Sequence, residues 1–240
     1  MDLHRKTIPI YEDSISSHGY VELLDHLGDD GLTCVNAARV SFNKKSEVFE
    51  KKDLKLLNYL IKEKHTSVLE HNVLTFSFKV PLFVARQHMR HRTWSFNEIS
   101  RRYTSVDLKF YEPNSFRTQH KSNRQASNDE LVNPTLSGLI NGFDNASDAV
   151  KQHHTLSVGL YNSLISSGVC REQARGVLPQ NLYTEYYGTV NLHNLLKFIS
   201  LRTHAGAQWE IQQVAEACLR IATELFPHSV ESYKKYKMEK

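Results

Sequence analysis

A chain of 240 residues with 40% hydrophobic and 23% charged residues has an ordinary globular composition and enough length for a core in one domain, or two small ones. Its 3 cysteines (Cys34, Cys170, Cys218) are odd in number and far apart, which argues against a disulfide framework or a zinc knuckle. No apolar run reaches membrane-spanning length and the N-terminus carries no signal-peptide stretch, so the expectation is a soluble, cytoplasmic protein with no membrane contact, and the net charge of +4 suits an anionic ligand as readily as nucleic acid.

Residues 1–18 are polar and irregular and read as an arm with one short strand at 7–11. A strand over 20–27 leads into a turn at Gly28, Asp29, Asp30 and Gly31. Helices are expected over 33–42 and 51–64, the second amphipathic through Leu54, Leu57, Tyr59, Leu60 and Ile61. From 73 to 80 the pattern alternates, with Leu74, Phe76, Phe78 and Val80 on one face, which is a half-buried strand. Pro81 stands where a first helical position should be, and a helix is expected to continue over 82–92, bringing Gln87, Arg90 and His91 onto one face.

Residues 117–134 have almost no apolar content and read as a mobile loop. The stretch 136–167 is mostly helix, followed by a short helix over 171–177 that stops near Pro179. A strand rich in aromatic and β-branched residues spans 183–190. Asn191 is a plausible N-cap for a helix with Leu192, Leu195, Leu196 and Ile199 as its buried stripe and His193, Lys197 and Arg202 opposite. The last helix places Ile211, Val214, Cys218, Ile221 and Leu225 on one stripe and ends before Pro227. With no repeats and no linker, the organisation is read as one α/β domain over 1–240.

The most informative run is Arg90-His91-Arg92-Thr93-Trp94-Ser95-Phe96-Asn97-Glu98-Ile99-Ser100-Arg101-Arg102-Tyr103. With Arg86, five arginines stand against the single carboxylate of Glu98. Guanidinium forks grip planar oxyanions such as phosphate with paired hydrogen bonds. The interleaved Ser95, Asn97, Glu98 and Ser100 are types that read a sugar or a base edge. A bland alternative is a basic surface helix, and a second is a nucleic-acid groove with Trp94 and Tyr103 stacking on bases, although Glu98 would repel phosphate there.

Arg-His-Arg, seven residues and then Ser, with Asn-Glu before that serine and Arg-Tyr after it, resembles the signature of the flavin-dependent thymidylate synthases. Further stretches resemble the family in order: Ala37-Ala38-Arg39-Val40-Ser41-Phe42, Glu70-His71, Phe83-Val84-Ala85-Arg86-Gln87, Arg171-Glu172-Gln173-Ala174-Arg175, Leu182-Tyr183-Thr184 and Ala207-Gln208-Trp209-Glu210-Ile211-Gln212. Together they cover roughly residues 19–115 and 158–230. The resemblance implies an α+β fold with a mixed, mostly antiparallel sheet and flanking helices. It implies a homotetramer that binds FAD and dUMP at subunit interfaces, takes a methylene group from methylenetetrahydrofolate, uses NADPH to reduce the flavin, and makes dTMP. Carried over by position, the FAD contacts are His65, Ser67, Arg90, His91, Arg92, Glu98, Asn191, His193 and Lys197. The dUMP contacts are Gln87, Arg90, Glu98, Ile99, Ser100, Arg101, Arg102, Arg175 and Arg202, the last matching the arginine that polarises the uracil ring. His193 and Lys197 depart from the family pattern, where an arginine and an asparagine can stand; both remain hydrogen-bond donors.

The chemistry agrees with this on independent grounds. Methylating uracil C5 needs a carbanion-like ring with charge spread towards O4 and N3, and a fixed guanidinium such as Arg202 stabilises that charge as an oxyanion-hole donor does. Without the family, Arg202 reads as a cation at a helix C-terminus. The other route to the product uses a cysteine that adds to C6. All three cysteines read as inert thiols, with Cys34 the most open to question because it lies near a helix start. A reduced flavin then has to supply carrier and hydride. No Gly-x-Gly-x-x-Gly turn is present, so FAD is expected in a groove outside any dinucleotide-binding βαβ unit, with Arg92 on the pyrophosphate. His88 with His91, His65 with Glu70 and His71, and His153 with His154 lack metal-ligand spacing, and no metal is expected. Neither a nucleic-acid partner nor methylation of uracil within RNA accounts for the resemblance outside 86–103.

Overall fold

The computed structural model describes residues 6–12, 18–136 and 145–238. Its strands are β1 (Lys6–Ile10), β2 (Gly19–Leu27), β3 (Val73–Pro81), β4 (Ser95–Glu98), β5 (Phe116–Gln119), β6 (Ser127–Val132) and β7 (Tyr183–Asn191). The helices are α1 (Asp30–Arg39), α2 (Lys51–Lys62), α3 (Leu82–His88), α4 (Ala146–Ser166), α5 (Arg171–Ala174), α6 (Leu192–Arg202), α7 (Trp209–Leu225) and α8 (Pro227–Tyr233). Five strands form one antiparallel sheet in the order β1-β2-β3-β7-β4, and β5 pairs with β6 apart from it. This is the α+β architecture expected, a largely antiparallel sheet with flanking helices.

Alternation in β3 puts Leu74, Phe76, Phe78 and Val80 fully inside. Against that side lie Leu192, Leu195, Leu196 and Ile199 of α6 and Ile211, Val214, Cys218 and Ile221 of α7, all buried as the periodicity predicts. Each such side chain contributes roughly 1.5–3 kcal/mol by leaving water. Helix α6 packs on α7, and α1, α2 and α8 close the far end of the core. The Asn191 side chain accepts from the Asn194 amide at 3.0 Å, so the expected N-cap is present.

The turn expected at 28–31 is present, while several elements differ from the sequence reading. Helix α1 begins at Asp30, three residues early, because the buried Asp30 carboxylate accepts from the backbone amides of His228 and Ser229 at 2.9 and 3.0 Å. Gly28, at φ 107° with Asn72 against it, turns the chain there, and a Cβ would lie 2.0 Å from Asn72 Oδ1. Helix α3 stops at His88 instead of running to residue 92, so Gln87, Arg90 and His91 do not share one helical face. The polar segment 117–134 is largely the β5–β6 hairpin and not a loop; Gln119 Nε2 donates to the Ala126 carbonyl at 3.0 Å and Asn128 Nδ2 to the Gln119 carbonyl at 3.1 Å. Beyond Pro227, which starts α8 as an N1 proline, the chain goes on helically. Residues 1–5 and 13–17 of the expected arm, and 137–144 of the expected helix 136–167, lie outside the described residues.

Candidate active site

The arginine run turns around a buried histidine. His88 is fully buried and ringed by aromatic side chains: Trp94 at 4.4 Å, Phe198 at 4.6 Å, Phe78 at 4.9 Å and Phe96 at 5.1 Å between centroids. Its Nδ1 bonds the Tyr186 hydroxyl at 2.9 Å. Burial holds the His88 pKa well below the usual histidine value, so the ring is neutral. Trp94 and Phe96 stack in parallel at 5.8 Å, and Phe96 pairs with Gly188 on β7. A Cβ on Gly188 would meet Phe78 at 2.9 Å and Trp94 at 3.2 Å, so glycine is what admits the rings. Anchoring Trp94 and Phe96 against β7 makes the chain leave the helix after His88 and run back as β4.

The turn this produces faces Arg90, His91 and Arg92 outward. Arg202, at the end of α6, donates from Nε to His91 Nε2 at 3.1 Å. Because a guanidinium has no acceptor, His91 Nε2 must carry the lone pair. Burial, followed by the Arg202 charge, lowers the His91 pKa to about 4, so the ring accepts at neutral pH. Phe198, one turn before Arg202, closes against His91 edge-on at 4.9 Å. Arg86, Arg90 and Arg92 are exposed and have no hydrogen bond or ion pair among the described residues. This is unspent donor capacity gathered beside a helix end.

Beyond β4 the chain is pinned to β7. Glu98 accepts from the Thr184 hydroxyl at 2.6 Å, and the Ile99 amide donates to the Glu185 carbonyl at 2.9 Å. Ser100 starts a turn by accepting from the Tyr103 amide at 3.0 Å. Arg101 is half-buried and turned inward, donating to the carbonyls of Val106 at 2.7 Å and Tyr183 at 3.3 Å. Lys79 holds the same segment through Asp107 at 3.2 Å and Glu185 at 2.8 Å. Arg102 is exposed, its guanidinium 5.6 Å from the Tyr103 ring. Of the two adjacent arginines, Arg101 braces the loop in this structure and Arg102 is open to a ligand.

The remaining candidates fall into two places. His65 and Ser67, on and beside the 3-10 turn Thr66–His71, line a cleft of about 1150 Å³ with Ala37, Phe42, Tyr59 and Leu60. That turn packs on α6, which carries Asn191 at its cap and His193 and Lys197 one turn apart. His193 is half-buried and its pKa falls through burial, while Glu70 of the turn opposes that shift. Arg175 stands elsewhere, on the turn Arg175–Val177 packed on α4, with its Nε donating to the Glu172 carbonyl at 3.3 Å. Gln87 reaches across from α3 and donates to Gln208 at the cap of α7. The reading from sequence gave no role to Phe198, Gln208 or Glu210; Phe198, spaced four residues from Arg202 on α6, was the one with a periodic signal.

Two of the three cysteines lie in the core. Cys34 is fully buried inside α1, where burial pushes its thiol up to about 12, and Ser229 Oγ lies 3.7 Å from its sulfur. Cys218 is fully buried on α7 and raised further by the same cause. Cys170 is exposed.

Residues 22–228 match the family model described as thymidylate synthase complementing protein. The chain is 42% identical over 233 residues to the flavin-dependent thymidylate synthase of Thermus thermophilus, covering 97% of this chain and 80% of that one. It is 42% identical over 218 residues to the flavin-dependent thymidylate synthase of Thermotoga neapolitana, covering 91% and 92%. Among solved structures, it is similar to a UMP/dUMP methylase of Streptomyces cacaoi bound with 5-Br dUMP, with TM-score 0.75 and 32% identity over 91% of this chain and 95% of that one. The fold is that of an α+β protein with a gathered guanidinium surface. The chain belongs to the flavin-dependent thymidylate synthase family.

The residues fit the family's flavin. A dinucleotide with a pyrophosphate bridge needs anion donors beside an elongated, partly apolar trough. Arg90 and Arg92 offer unpartnered guanidinium groups suited to a pyrophosphate, and the cleft bordered by His65 and Ser67 is a partly apolar trough large enough for part of such a group.

Proposed function

We propose that the surface formed by the α3–β4 turn, α6 and the Thr66–His71 turn holds FAD, and that dUMP lies beside it within reach of Arg202. The enzyme is a methyltransferase of the thymidylate synthase type, converting dUMP to dTMP with FAD, NADPH and methylenetetrahydrofolate. When bound, FAD supplies the redox chemistry that lets NADPH drive transfer of the folate's one-carbon unit to the uracil ring. In this reading His65, Ser67, Arg90, His91, Arg92, Glu98, Asn191, His193 and Lys197 hold the flavin. Gln87, Arg90, Glu98, Ile99, Ser100, Arg102 and Arg175 hold the nucleotide, with Arg101 fixing the loop that carries Ser100 and Arg102.

The observation that carries this reading is the Arg202 Nε to His91 Nε2 hydrogen bond of 3.1 Å, which joins the flavin-side turn to the nucleotide-side arginine. The bond uses one donor and leaves the Nη groups open, aimed from a rigid helix end. Charge that develops on O4 and N3 of uracil as C5 becomes nucleophilic meets a donor set already oriented, so no reorganisation is needed at that moment. His91 holds the guanidinium through Nε, and Phe198 packs edge-on against the His91 ring at 4.9 Å. Arg102 supplies charge for the phosphate of the nucleotide.

Arg175, set apart on the α4–α5 side, supports assembly into a homotetramer in which one subunit's Arg175 completes another subunit's nucleotide site. The test is direct. The purified protein should show oxidised-flavin absorbance and form dTMP from dUMP, methylenetetrahydrofolate and NADPH, and should lose FAD on dilution in step with dissociation seen by light scattering. A colourless protein with salt-sensitive DNA binding would overturn the enzymatic reading, and a monomer that keeps its FAD would overturn the shared site.

A further inference from the structure

The β5–β6 hairpin is polar, lies outside the main sheet, and has no place in the reaction described above. It nevertheless ends a chain of polar contacts that begins at the nucleotide site. Arg117 on β5 is ion-paired to Oε1 of Glu210, whose residue is only 4% exposed, and lies 4.8 Å from the centroid of Trp209. The Tyr111 hydroxyl donates to the same Oε1 at 3.2 Å. The other oxygen, Oε2, accepts from Nε2 of Gln208 at 2.8 Å. Gln208 Oε1 in turn accepts from Nε2 of Gln87. Gln208 cannot drift, because it is the N-cap of α7 and its carbonyl accepts from the Ile211 and Gln212 amides at 3.1 Å each.

The order of donors and acceptors follows from one group. An ionised carboxylate only accepts, so Gln208 has to present its NH2 to Glu210 and its oxygen to Gln87. Gln87 must then use an N–H towards Gln208, which turns its own Oε1 away as a free acceptor. Two glutamine amides, each able to flip by half a turn at little cost in shape, are thereby set in series by a buried charge. Arg117 balances that charge from the hairpin.

We infer that Arg117, Glu210 and Gln208 are positioning residues that fix the amide orientation of Gln87, so that its oxygen accepts from an O–H or imide N–H of the bound nucleotide. This rests on the proposed placement of dUMP beside Gln87. The hairpin thus acts on substrate recognition without touching substrate.

The test measures dTMP formation with dUMP varied, beside thermal melting of the FAD-loaded enzyme. Gln208→Leu cuts the chain at a half-buried position and keeps the volume. It should raise KM for dUMP about tenfold, the scale of one oriented hydrogen bond, and move kcat much less. Arg117→Met should raise KM in the same direction, and Arg117→Lys should recover most of the loss. Glu210→Gln, which can offer an N–H to Gln208 and so permits the reversed order, should also raise KM. If Gln208→Leu and a folded Arg117→Met lowered the melting temperature and left KM unchanged, the hairpin would be a structural prop and the inference would fall. Should Arg117→Met fail to fold, Gln208→Leu decides alone. Absence of dUMP turnover in the unaltered chain would instead overturn the underlying function, and an unchanged KM beside normal turnover would overturn only the relay.

Discussion

The aromatic box beneath the α3–β4 turn and the guanidinium shell above it are neighbours in sequence and opposites in physics. His88 lies inside, neutral, enclosed by Phe78, Trp94, Phe96 and Phe198. His91, three positions on, faces the surface and orients Arg202. The inner group has spent its interactions on packing. Arg86, Arg90 and Arg92 in the outer group have spent nothing among the described residues. In the proposed reading, rigidity is supplied by the aromatic box and electrostatic work is left to the exposed arginines. A site arranged this way has donors that are oriented before a ligand arrives, which is where enzymes gain most from charge.

If the division is real, substitutions in the two groups should fail in different measurements. Trp94→Ala removes a side chain that touches His88, Phe78, Phe96 and Phe198, and a cavity of that kind costs about 3–5 kcal/mol. Urea unfolding should show the loss directly. A Trp94→Ala protein with unchanged midpoint would mean that the box is not the scaffold of the turn.

Arg202→Ala should behave in the contrary way. Turnover at saturating dUMP should fall on the order of 10²–10³, the usual consequence of losing one preorganised donor, while the melting temperature moves little. NADPH-driven reduction of the flavin should be largely spared, and affinity for dUMP should fall less than kcat. Arg102→Ala should instead weaken dUMP binding first. Normal turnover in Arg202→Ala would leave Arg202 as a cation at a helix end and nothing more.

The same contrast explains what was legible in the sequence. Strand β3, the stripes of α6 and α7 and the Asn191 cap could be read because burial repeats with the period of the element. The end of α3 at His88 could not, because it is set by Trp94 and Phe96 docking on β7 across a gap of about ninety residues in sequence, which no local propensity encodes. The β5–β6 hairpin was hidden for a related reason. It is held by side-chain amides and the Arg117–Glu210 pair, so it lacks the apolar alternation by which strands are recognised. In the site, the resemblance named residues along the turn and α6 that the fold does place on neighbouring elements. It could not tell that Arg101 would turn inward to Val106 and Tyr183 while Arg102 stayed open, since that depends on which carbonyls the folded loop presents.

Acid sharpens the comparison without mutation. Burial lowers the His91 pKa in the folded protein to about 4, well under the ordinary histidine value, and His88 is lowered by the same cause. Between those values the unfolded chain binds protons that the folded chain refuses, so the His91 part of the stability should decline as pH drops from the ordinary histidine range towards about 4, while the fully buried His88 continues the decline below that. Protonating His91 also removes the lone pair that accepts from Arg202. Melting temperature against pH in the wild type and in His91→Gln tests this: the variant should show a shallower slope. Identical slopes would place the titrating groups elsewhere, with His88, His154 and His193, all lowered by burial, as the alternatives.

The smallest effect is expected at the cysteines, and it bears on the mechanism most directly. Addition of a thiolate to uracil C6 would require a cysteine that ionises near neutral pH and reaches the nucleotide. Cys34 fails on both counts, fully buried with its thiol pushed up to about 12, and Cys218 is fully buried with its thiol raised by the same desolvation. Cys170 is exposed at the N-cap position of α5, five residues before Arg175, so it is the one cysteine whose part is decided by the variant and not by burial. Cys34→Ala, Cys170→Ser and Cys218→Ala together avoid placing a hydroxyl in the core, and the two buried changes should each cost about 1 kcal/mol through lost packing. The triple variant should bind FAD and still make dTMP. Because the guanidinium shell is untouched, the remaining turnover should keep its dependence on Arg202, so that adding Arg202→Ala lowers it by the same factor as in the wild type. Complete loss of turnover in a folded, FAD-loaded triple variant would show that a thiol takes part, and the charge-stabilising role of Arg202 would then have to be reassigned to a covalent route.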